Sequence, residues 1–166
     1  MKRLLLSFGC IAIAAIMAAC SNTDPEYRAE LITVQQLNTT AGYAWFPAET
    51  STYTPDATMI NEIRTEFDTT QHQLLIFVKP SCACRGTQKL FPQVMKSLMQ
   101  ADVPMRKVEI YSMRSSSDKH PYMKDITLNA LPAVYVLRNG EIKRVIIDSD
   151  YTGSNADSLM ARALRQ

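Results

Sequence analysis

Within residues 54–78 the hydrophobic pattern consists of a helical stripe followed by a short continuous apolar run. Before the stripe, Thr54, Pro55 and Asp56 supply a capping hydroxyl, a proline at the first helical position and an acid in the first turn. The pattern predicts a helix over 54–67 that packs on the core through one face. The apolar residues of that face are Met59, Ile60, Ile63 and Phe67. Residues 74–78 are continuously apolar and partly β-branched, which predicts a buried strand.

A second helical stripe and a second strand follow this run. The stripe reaches to about Gln100, and Pro92 removes one of its backbone hydrogen bonds. Its inward-facing residues are Leu90, Phe91, Val94, Met95, Leu98 and Met99. Residues 105–111 are predicted to form the second central strand, and the polar stretch 112–125 a loop with at most one helical turn.

The C-terminal part of the chain predicts a hairpin and a closing helix. Residues 133–138 and 141–148 are predicted to form two strands, and the Asn-Gly pair at 139–140 between them is a strong hairpin signal. Ser154 and Asp157 have the spacing of a capping box, so a helix is expected to begin there.

The hydrophobic pattern before residue 54 is less regular. The pattern of residues 30–37 is ambiguous but fits a strand, and residues 38–53 are predicted to form an irregular segment packed by its aromatic rings. The resulting order is β–α–β–loop–β–β–α, preceded by a helix, which predicts an α/β sandwich with a buried parallel pair. Ligands and reactive groups in such sheets gather at the carboxyl ends of the strands.

Residues 1–20 have the layout of a secretory signal. Lys2 and Arg3 precede an apolar run that is shorter than the about 20 residues a membrane-spanning helix needs. The ending Met-Ala-Ala-Cys at 17–20 resembles a bacterial lipobox, which implies cleavage before Cys20 and lipidation of that cysteine. The alternative is an uncleaved N-terminal anchor. In both cases the domain is expected outside the cytoplasm, attached to a membrane.

Composition and charge narrow the function classes once the signal is set aside. Apolar residues make up 46% of the chain and charged residues 20%, as in an ordinary globular domain. Without the two positive residues of the signal, Lys and Arg balance Asp and Glu at 16 against 16, and there is no basic run that would indicate nucleic-acid binding. Of four cysteines, Cys10 leaves with the signal and Cys20 carries lipid. Cys82 and Cys84 remain, one residue apart, in an oxidising compartment.

From residue 72 to the C-terminus the chain resembles the thioredoxin family. The matching features are a strand, a cysteine motif that opens a helix with an internal proline, a second strand, and Leu131-Pro132 before a hairpin. Residues 131–141 match the family's Pro-strand-Asn-Gly segment closely. The resemblance implies a thioredoxin-like three-layer sandwich around a central mixed sheet, in which Pro132 follows a cis peptide bond and faces the cysteines. Residues 45–67 resemble the N-terminal arm and helix of a bacterial thioredoxin-like branch.

The cysteine motif departs from the family pattern, because the family has Cys-x-x-Cys and this chain has Cys82-x-Cys84. The family's helix proline lies eight residues after its first cysteine, and Pro92 lies eight residues after Cys84. In that register Cys84 is the nucleophile, and Thr87 stands where the resolving cysteine would be. The alternative register makes Cys82 the first cysteine and shortens the motif by one residue. Helix spacing tolerates such a slip poorly, which favours Cys84.

The chemistry of a helix N-terminus favours the same assignment. A thiolate is the attacking species, and the unpaired amides at the start of a helix lower the pKa of a thiol. Arg85 adds a positive charge if its side chain turns toward the sulfur, and Thr87 can donate a hydroxyl hydrogen bond to a thiolate. Cys82 supplies a second thiol that can release a mixed disulfide. The acid that the family buries under its cysteines has no counterpart, since Val78 occupies the matching position.

Three other interpretations of the cysteine pair stay open. One is a structural disulfide, although a three-residue loop contributes only about half of the roughly 3 kcal/mol that a fifteen-residue loop gives. Another is a pair of idle thiols on a thioredoxin-like scaffold that only binds. The third is copper or zinc handling by two soft thiolates. For that site His72 is expected at the wrong end of the central strand, and His120 is expected to be a solvated loop residue. The acidic turn at 148–150 is expected to be a solvated strand end.

The sequence therefore predicts a lipoprotein signal peptide over 1–19, a tether and possible first strand over 20–37, and a thioredoxin-like domain with an N-terminal arm over 38–166. The expected function is a membrane-anchored, extracytoplasmic thiol-disulfide oxidoreductase without a cofactor. Its expected partners are protein thiols or disulfides of the bacterial cell envelope, and the membrane through a lipid anchor at Cys20. The expected catalytic residues are the nucleophile Cys84, the resolving thiol Cys82, Thr87, Arg85 and Pro132. The resemblance implies that Pro132 shapes the substrate groove and keeps metals off the thiolate.

Overall fold

The residues that the structure describes, 26–166, are built around a five-stranded mixed sheet. The structure is a computed structural model. The predicted signal peptide and the lipidation site at Cys20 lie outside the described residues. The strands are β1 Glu30–Ile32, β2 His72–Val78, β3 Val108–Ser112, β4 Ala133–Arg138 and β5 Glu141–Ile147. They are arranged in the order β1-β3-β2-β4-β5, with β2 and β3 parallel and the other neighbours antiparallel. The prediction of an α/β protein with a central parallel pair is confirmed.

Helices cover one face of this sheet. Those in the described part of the chain are α1 Val34–Thr39, α2 Phe46–Thr52, α3 Ala57–Glu66, α4 Phe91–Gln100 and α5 Ala156–Leu164. α4 continues a π-helical turn, Gly86–Leu90, so helical backbone begins at Arg85. α3, α4 and α5 pack on one another and form one core with the sheet. Fully buried side chains of this layer include Ile63, Phe91 and Leu98.

The opposite face of the sheet is covered by the irregular connection 113–132 between β3 and β4. Met113, Ile126 and Leu128 of this connection are buried in the core cluster of that face together with Phe77. No helix forms between residues 113 and 132. The described residues therefore form a helical layer, the sheet and an irregular layer, and the second layer of helices that the resemblance implies is not formed by residues 113–132. The polar run after β3 lacks the apolar stripe that a packed helix needs.

β2, β4 and the hairpin form at the positions that the sequence predicts. β2 extends the predicted run by two residues, and β4 has the predicted bounds. Asn139 and Gly140 have positive φ angles of 54° and 79°, as a type I′ hairpin turn requires. β3 begins later than predicted, because Met105–Lys107 form a 3-10 turn.

The two predicted helix caps are wrong in detail. Asp56, not Thr54, caps α3, since its carboxylate accepts hydrogen bonds from two backbone amides of the first turn at 2.8 and 3.1 Å. α5 lacks the predicted capping box of Ser154 and Asp157, and its N-cap residue is Asn155. Asp157 instead accepts a hydrogen bond from the Asp56 amide at 2.7 Å, which joins the starts of α3 and α5.

The arm before α3 is more regular than the segment predicted over 38–53. The ambiguous stretch 30–37 is divided between β1 and α1, because Thr33 forms a capping box that starts the helix. A further short helix, α2, follows Trp45. The aromatic rings do pack as predicted: Trp45 lies edge-on to Phe91, with ring centroids 6.2 Å apart.

Candidate functional site

Cys84 lies at the N-terminus of the long helix that follows the central strand. β2 ends at Val78, and helical backbone begins at Arg85. The Cys84 carbonyl accepts the first helical hydrogen bond, from the Gln88 amide at 3.0 Å, so Cys84 is the N-cap residue. The free amides of the first turn and the helix dipole put positive potential at this position, which favours a bound anion or a thiolate.

Cys82 lies beside Cys84 in the turn between strand and helix. The two sulfur atoms lie within bonding distance, and the Cα atoms are 5.3 Å apart. The Cys84 amide also donates toward the Cys82 sulfur at 3.3 Å. Both residues are partly exposed, so a reagent or a protein in solution has access to this turn.

The turn before the cysteines is held by the N-terminal arm. Ser81 has a positive φ of 54°, and its amide donates to the Gly42 carbonyl at 2.8 Å. A Cβ at Gly42 would lie 2.9 Å from the Pro80 Cβ, so a glycine is needed for this close approach. Tyr43 fastens the arm to β3 through a hydrogen bond of 2.7 Å from its hydroxyl to Ser112. Sequence analysis predicted only that the aromatic rings of residues 38–53 pack, and it did not identify Gly42 or the hydrogen bond of Tyr43.

Pro132 packs against the first turn of the cysteine helix. The Leu131–Pro132 peptide bond is cis. A Cβ built on Gly86 would lie only 2.8 Å from the Pro132 Cδ, so helix and proline are in direct contact. Because Gly86 is two residues after Cys84, Pro132 lies next to the N-terminus of this helix. The structure thus brings together the cysteine segment and the proline that the resemblance pairs.

Arg85 turns toward Asp148. Its Nε donates to the Asp148 carboxylate and its Nη2 to the Asp148 carbonyl, both at 3.1 Å. The guanidinium also lies 5.6 Å from the centroid of the Tyr151 ring. Arg85 was expected to place a positive charge near the Cys84 sulfur if its side chain turned toward that atom. The charge-assisted pair instead holds the guanidinium on Asp148. Asp148, expected to be a solvated strand end, is thus a part of the site that sequence analysis missed.

Thr87 is fully buried, and its hydroxyl has no hydrogen-bond partner among the described residues. Thr87 follows Cys84 by three residues, a spacing that puts two side chains on the same side of a helix. A buried hydroxyl without a partner costs about 1–3 kcal/mol, and an acceptor nearby would remove that cost. The predicted role of Thr87 as a donor to a Cys84 thiolate therefore fits its position and stays a prediction.

His120 is buried, so the prediction of a solvated loop residue is wrong. Its ring packs edge-on against Phe77 with centroids 4.9 Å apart, and its Nδ1 has no hydrogen-bond partner in the described structure. Burial lowers the pKa of His120 below its ordinary value. His72 begins β2, at the other end of the strand from the cysteines, and burial lowers its pKa too. Within residues 26–166, no group of three or more His, Cys, Asp or Glu side chains is arranged to hold a metal ion.

A scan of family models and searches of curated proteins and of solved structures give no match to this chain. Among residues 26–166, no helix is long and apolar enough to cross a membrane.

Proposed function

We propose that this protein is a membrane-anchored, thioredoxin-like thiol-disulfide oxidoreductase that acts on protein thiols or disulfides outside the bacterial cytoplasm. The observation that carries the proposal is the position of Cys84. It caps a long helix directly after the central strand, beside Cys82 and next to Pro132. This position combines positive potential for a thiolate, a second thiol for resolution and access from solvent.

The strand order supports the thioredoxin-like part of the proposal. The cysteine helix connects the two parallel strands β2 and β3, and a β4–β5 hairpin follows Pro132 directly. Besides the cysteine motif, two features depart from the family pattern. An irregular layer replaces the helices on one face, and the fully buried Val78 stands where the family has an acid. We therefore propose that the chain is a divergent relative of the family. Without the buried acid, water accepts and donates the proton of the resolving thiol.

In the proposed reaction the Cys84 thiolate attacks one sulfur of a substrate disulfide. The substrate S–S bond breaks, a mixed disulfide with Cys84 forms, and one substrate thiolate leaves and takes up a proton. The Cys82 thiolate then attacks the Cys84 sulfur, which releases the second substrate thiolate and leaves a Cys82–Cys84 disulfide. Two electrons pass to the substrate in this direction, and the reverse sequence oxidises a substrate dithiol.

The neighbouring groups have distinct roles in this proposal. Thr87 donates its buried hydroxyl to the Cys84 thiolate and so stabilises the attacking species. Pro132 borders the groove in which the substrate chain lies and keeps metal ions off the thiolate. Arg85 acts through its pair with Asp148 and fixes the start of the helix.

The anchor in this proposal is a lipid on Cys20, supported by the lipobox-like ending at 17–20. The N-terminal peptide of protein from a membrane fraction should then begin at Cys20 and carry the mass of the lipid. Cys20→Ala should abolish that mass, whereas Cys10→Ala, within the signal, should leave it unchanged. A peptide that still begins at Met1 would support the uncleaved anchor instead.

The direct test of the reaction is reduction of a disulfide-containing reporter protein by the full chain and its cysteine variants. Cys84→Ala should abolish exchange, and Cys82→Ala should accumulate a mixed disulfide with the reporter. Ser81→Ala, in the same turn but without a thiol, should exchange normally. Full activity of Cys84→Ala overturns the assignment. Two thiols that stay reduced, with copper or zinc in the native mass, would favour metal handling over exchange.

A further inference from the structure

Arg85 and Asp148 join the start of the cysteine helix to the end of β5. The guanidinium makes two hydrogen bonds of 3.1 Å, one to the carboxylate and one to the backbone carbonyl of Asp148. The same carboxylate lies against Gly86, since a Cβ there would be 2.9 Å from the Asp148 Cβ and 3.1 Å from its Oδ1. A negative charge is therefore fixed against the second residue of the helix that Cys84 caps.

Two anions compete for the positive end of this helix whenever Cys84 is a thiolate. The thiolate and the Asp148 carboxylate then both lie at the first turn, within about 10 Å of each other by the dimensions of a helix. The unpaired amides of that turn stabilise either anion. Arg85, the residue next to Cys84, directs its donors to Asp148. The two side chains are 53% and 45% exposed, so solvent weakens their charges without abolishing their effect.

Two further ion pairs lie on the neighbouring segments, Lys89 with Glu49 and Arg144 with Asp150. Tyr151 lies under the guanidinium, and its hydroxyl donates to Gln93 at 2.9 Å. Burial raises the pKa of Tyr151, which stays neutral at physiological pH. Arg85 and Asp148 are therefore the charges that distinguish the first turn of this helix from an ordinary helix start.

We propose that Asp148 is a positioning residue that sets the acidity of the Cys84 thiol. It does so by holding the Arg85 guanidinium on its own carboxylate and by competing with the thiolate for the N-terminus of the helix. The inference rests on the proposed function and deepens it, because it assigns the direction in which electrons pass between the cysteine pair and the substrate. A carboxylate that disfavours the thiolate destabilises the reduced pair, so the pair gives up its two electrons more readily.

Opposite effects of two single substitutions are the signature of this role. Asp148→Asn removes the competing charge and frees Arg85, so the pH midpoint of Cys84 alkylation should fall by about half a pH unit. Arg85→Gln leaves the carboxylate unpaired, so the midpoint should rise by a similar amount. Asp148→Glu keeps the charge and should keep a profile close to that of the wild type.

A matched control lies at the other end of the same helix. Asp102 forms an ion pair with Arg64 at 3.2 Å and has a positive φ of 59°, a conformation that asparagine tolerates. Asp102→Asn therefore removes the same kind of pair at a distance of about 24 Å from the helix start. Since this exceeds the screening length of about 8–10 Å, the midpoint should not move.

The measurement is the rate of iodoacetamide alkylation of the reduced, full-length protein over a pH series, with the Cys84 peptide followed by mass spectrometry. Unfolding in urea is measured beside it, because a purely structural pair would lower the stability of both variants without moving their midpoints in opposite directions. Unchanged midpoints, or midpoints that move in the same direction, overturn the inference.

Alkylation does not require exchange with a substrate, so the two proposals can fail separately. A chain whose midpoints move as expected but which does not exchange disulfides contradicts the proposed function alone. A chain that exchanges disulfides while Asp148→Asn and Arg85→Gln share the wild-type midpoint contradicts the inference alone.

Discussion

Gly86→Ala is the substitution for which the structure and local helix propensity predict opposite signs. Gly86 lies in the helical segment that follows Cys84, and its φ is not in the left-handed region. Replacing glycine by alanine inside a helix normally stabilises a protein by up to about 1 kcal/mol. Here a Cβ would lie 2.8 Å from the Pro132 Cδ and 2.9 Å from the Asp148 Cβ.

The contact with Pro132 decides the sign. Neither neighbour is the free end of a flexible chain: one is a proline ring, and the other is the first side-chain carbon of Asp148. Overpacking of this kind costs about 1–3 kcal/mol. After the gain in helix propensity, we expect Gly86→Ala to lower the free energy of unfolding by about 1 kcal/mol. Because the displaced group is Pro132, the rate of disulfide exchange should fall as well.

Urea unfolding of Gly86→Ala and of Gln88→Ala, followed by circular dichroism, measures the effect. Gln88 lies on the same turn and is only partly buried, so its replacement should change the free energy of unfolding by less than about 0.5 kcal/mol. If Gly86→Ala is more stable than the wild type, the close packing of the helix on Pro132 is refuted.

Two further substitutions test the cap of α3 and the buried histidine. Asp56→Ala should lower the free energy of unfolding by about 1 kcal/mol, because two amides of the first turn lose their acceptor, whereas Thr54→Ala should be nearly neutral in the same urea titration. The reverse order would show that Thr54 is the cap. The wild-type protein should lose stability as the pH falls below about 6.5, because burial lowers the pKa values of folded His120 and His72 and the unfolded chain then binds more protons. His120→Phe should weaken this loss between pH 6.5 and 5.5, and an identical pH dependence in both proteins would contradict the assignment.

Features set by neighbouring residues in the chain were predictable from the sequence. β2 contains the continuous apolar run 74–78, and β4 and β5 are joined by an Asn-Gly pair whose positive φ angles few other residues adopt. The position of Cys84 before a helix follows from the apolar stripe that begins at Leu90, after the cysteine in the sequence. Each of these signals lies within one element, so no knowledge of the tertiary structure was needed.

Contacts between distant segments were not predictable from local patterns. Arg85 and Asp148 are 63 residues apart, and either side chain alone has the pattern of a solvated charge. His120 lies in a polar run, yet buried Asp118 accepts hydrogen bonds from the amides of Arg114 and Ser115, which folds the segment back on itself. The ring of His120 then packs on Phe77, a contact that depends on this loop.

The sequence predicted that polar side chains start α3 and α5, but it identified the wrong residues as the caps. Thr54 and Asp56 both have the chemistry of a cap, and in the folded chain it is the Asp56 carboxylate that accepts from the amides of Thr58 and Met59. Asp157 has a suitable spacing for a capping box, but it is used to bind the start of α3, a neighbour that only the folded chain supplies.

The most direct test of the central claim is alkylation and mass spectrometry of the full-length protein across a glutathione redox series, purified without reductant or chelator. Cys82 and Cys84 should convert reversibly and together between two alkylated thiols and an unmodified, linked pair, with a measurable midpoint. Thiols that alkylate at every ratio of reduced to oxidised glutathione, or a link that no ratio opens, would contradict a thiol-disulfide oxidoreductase.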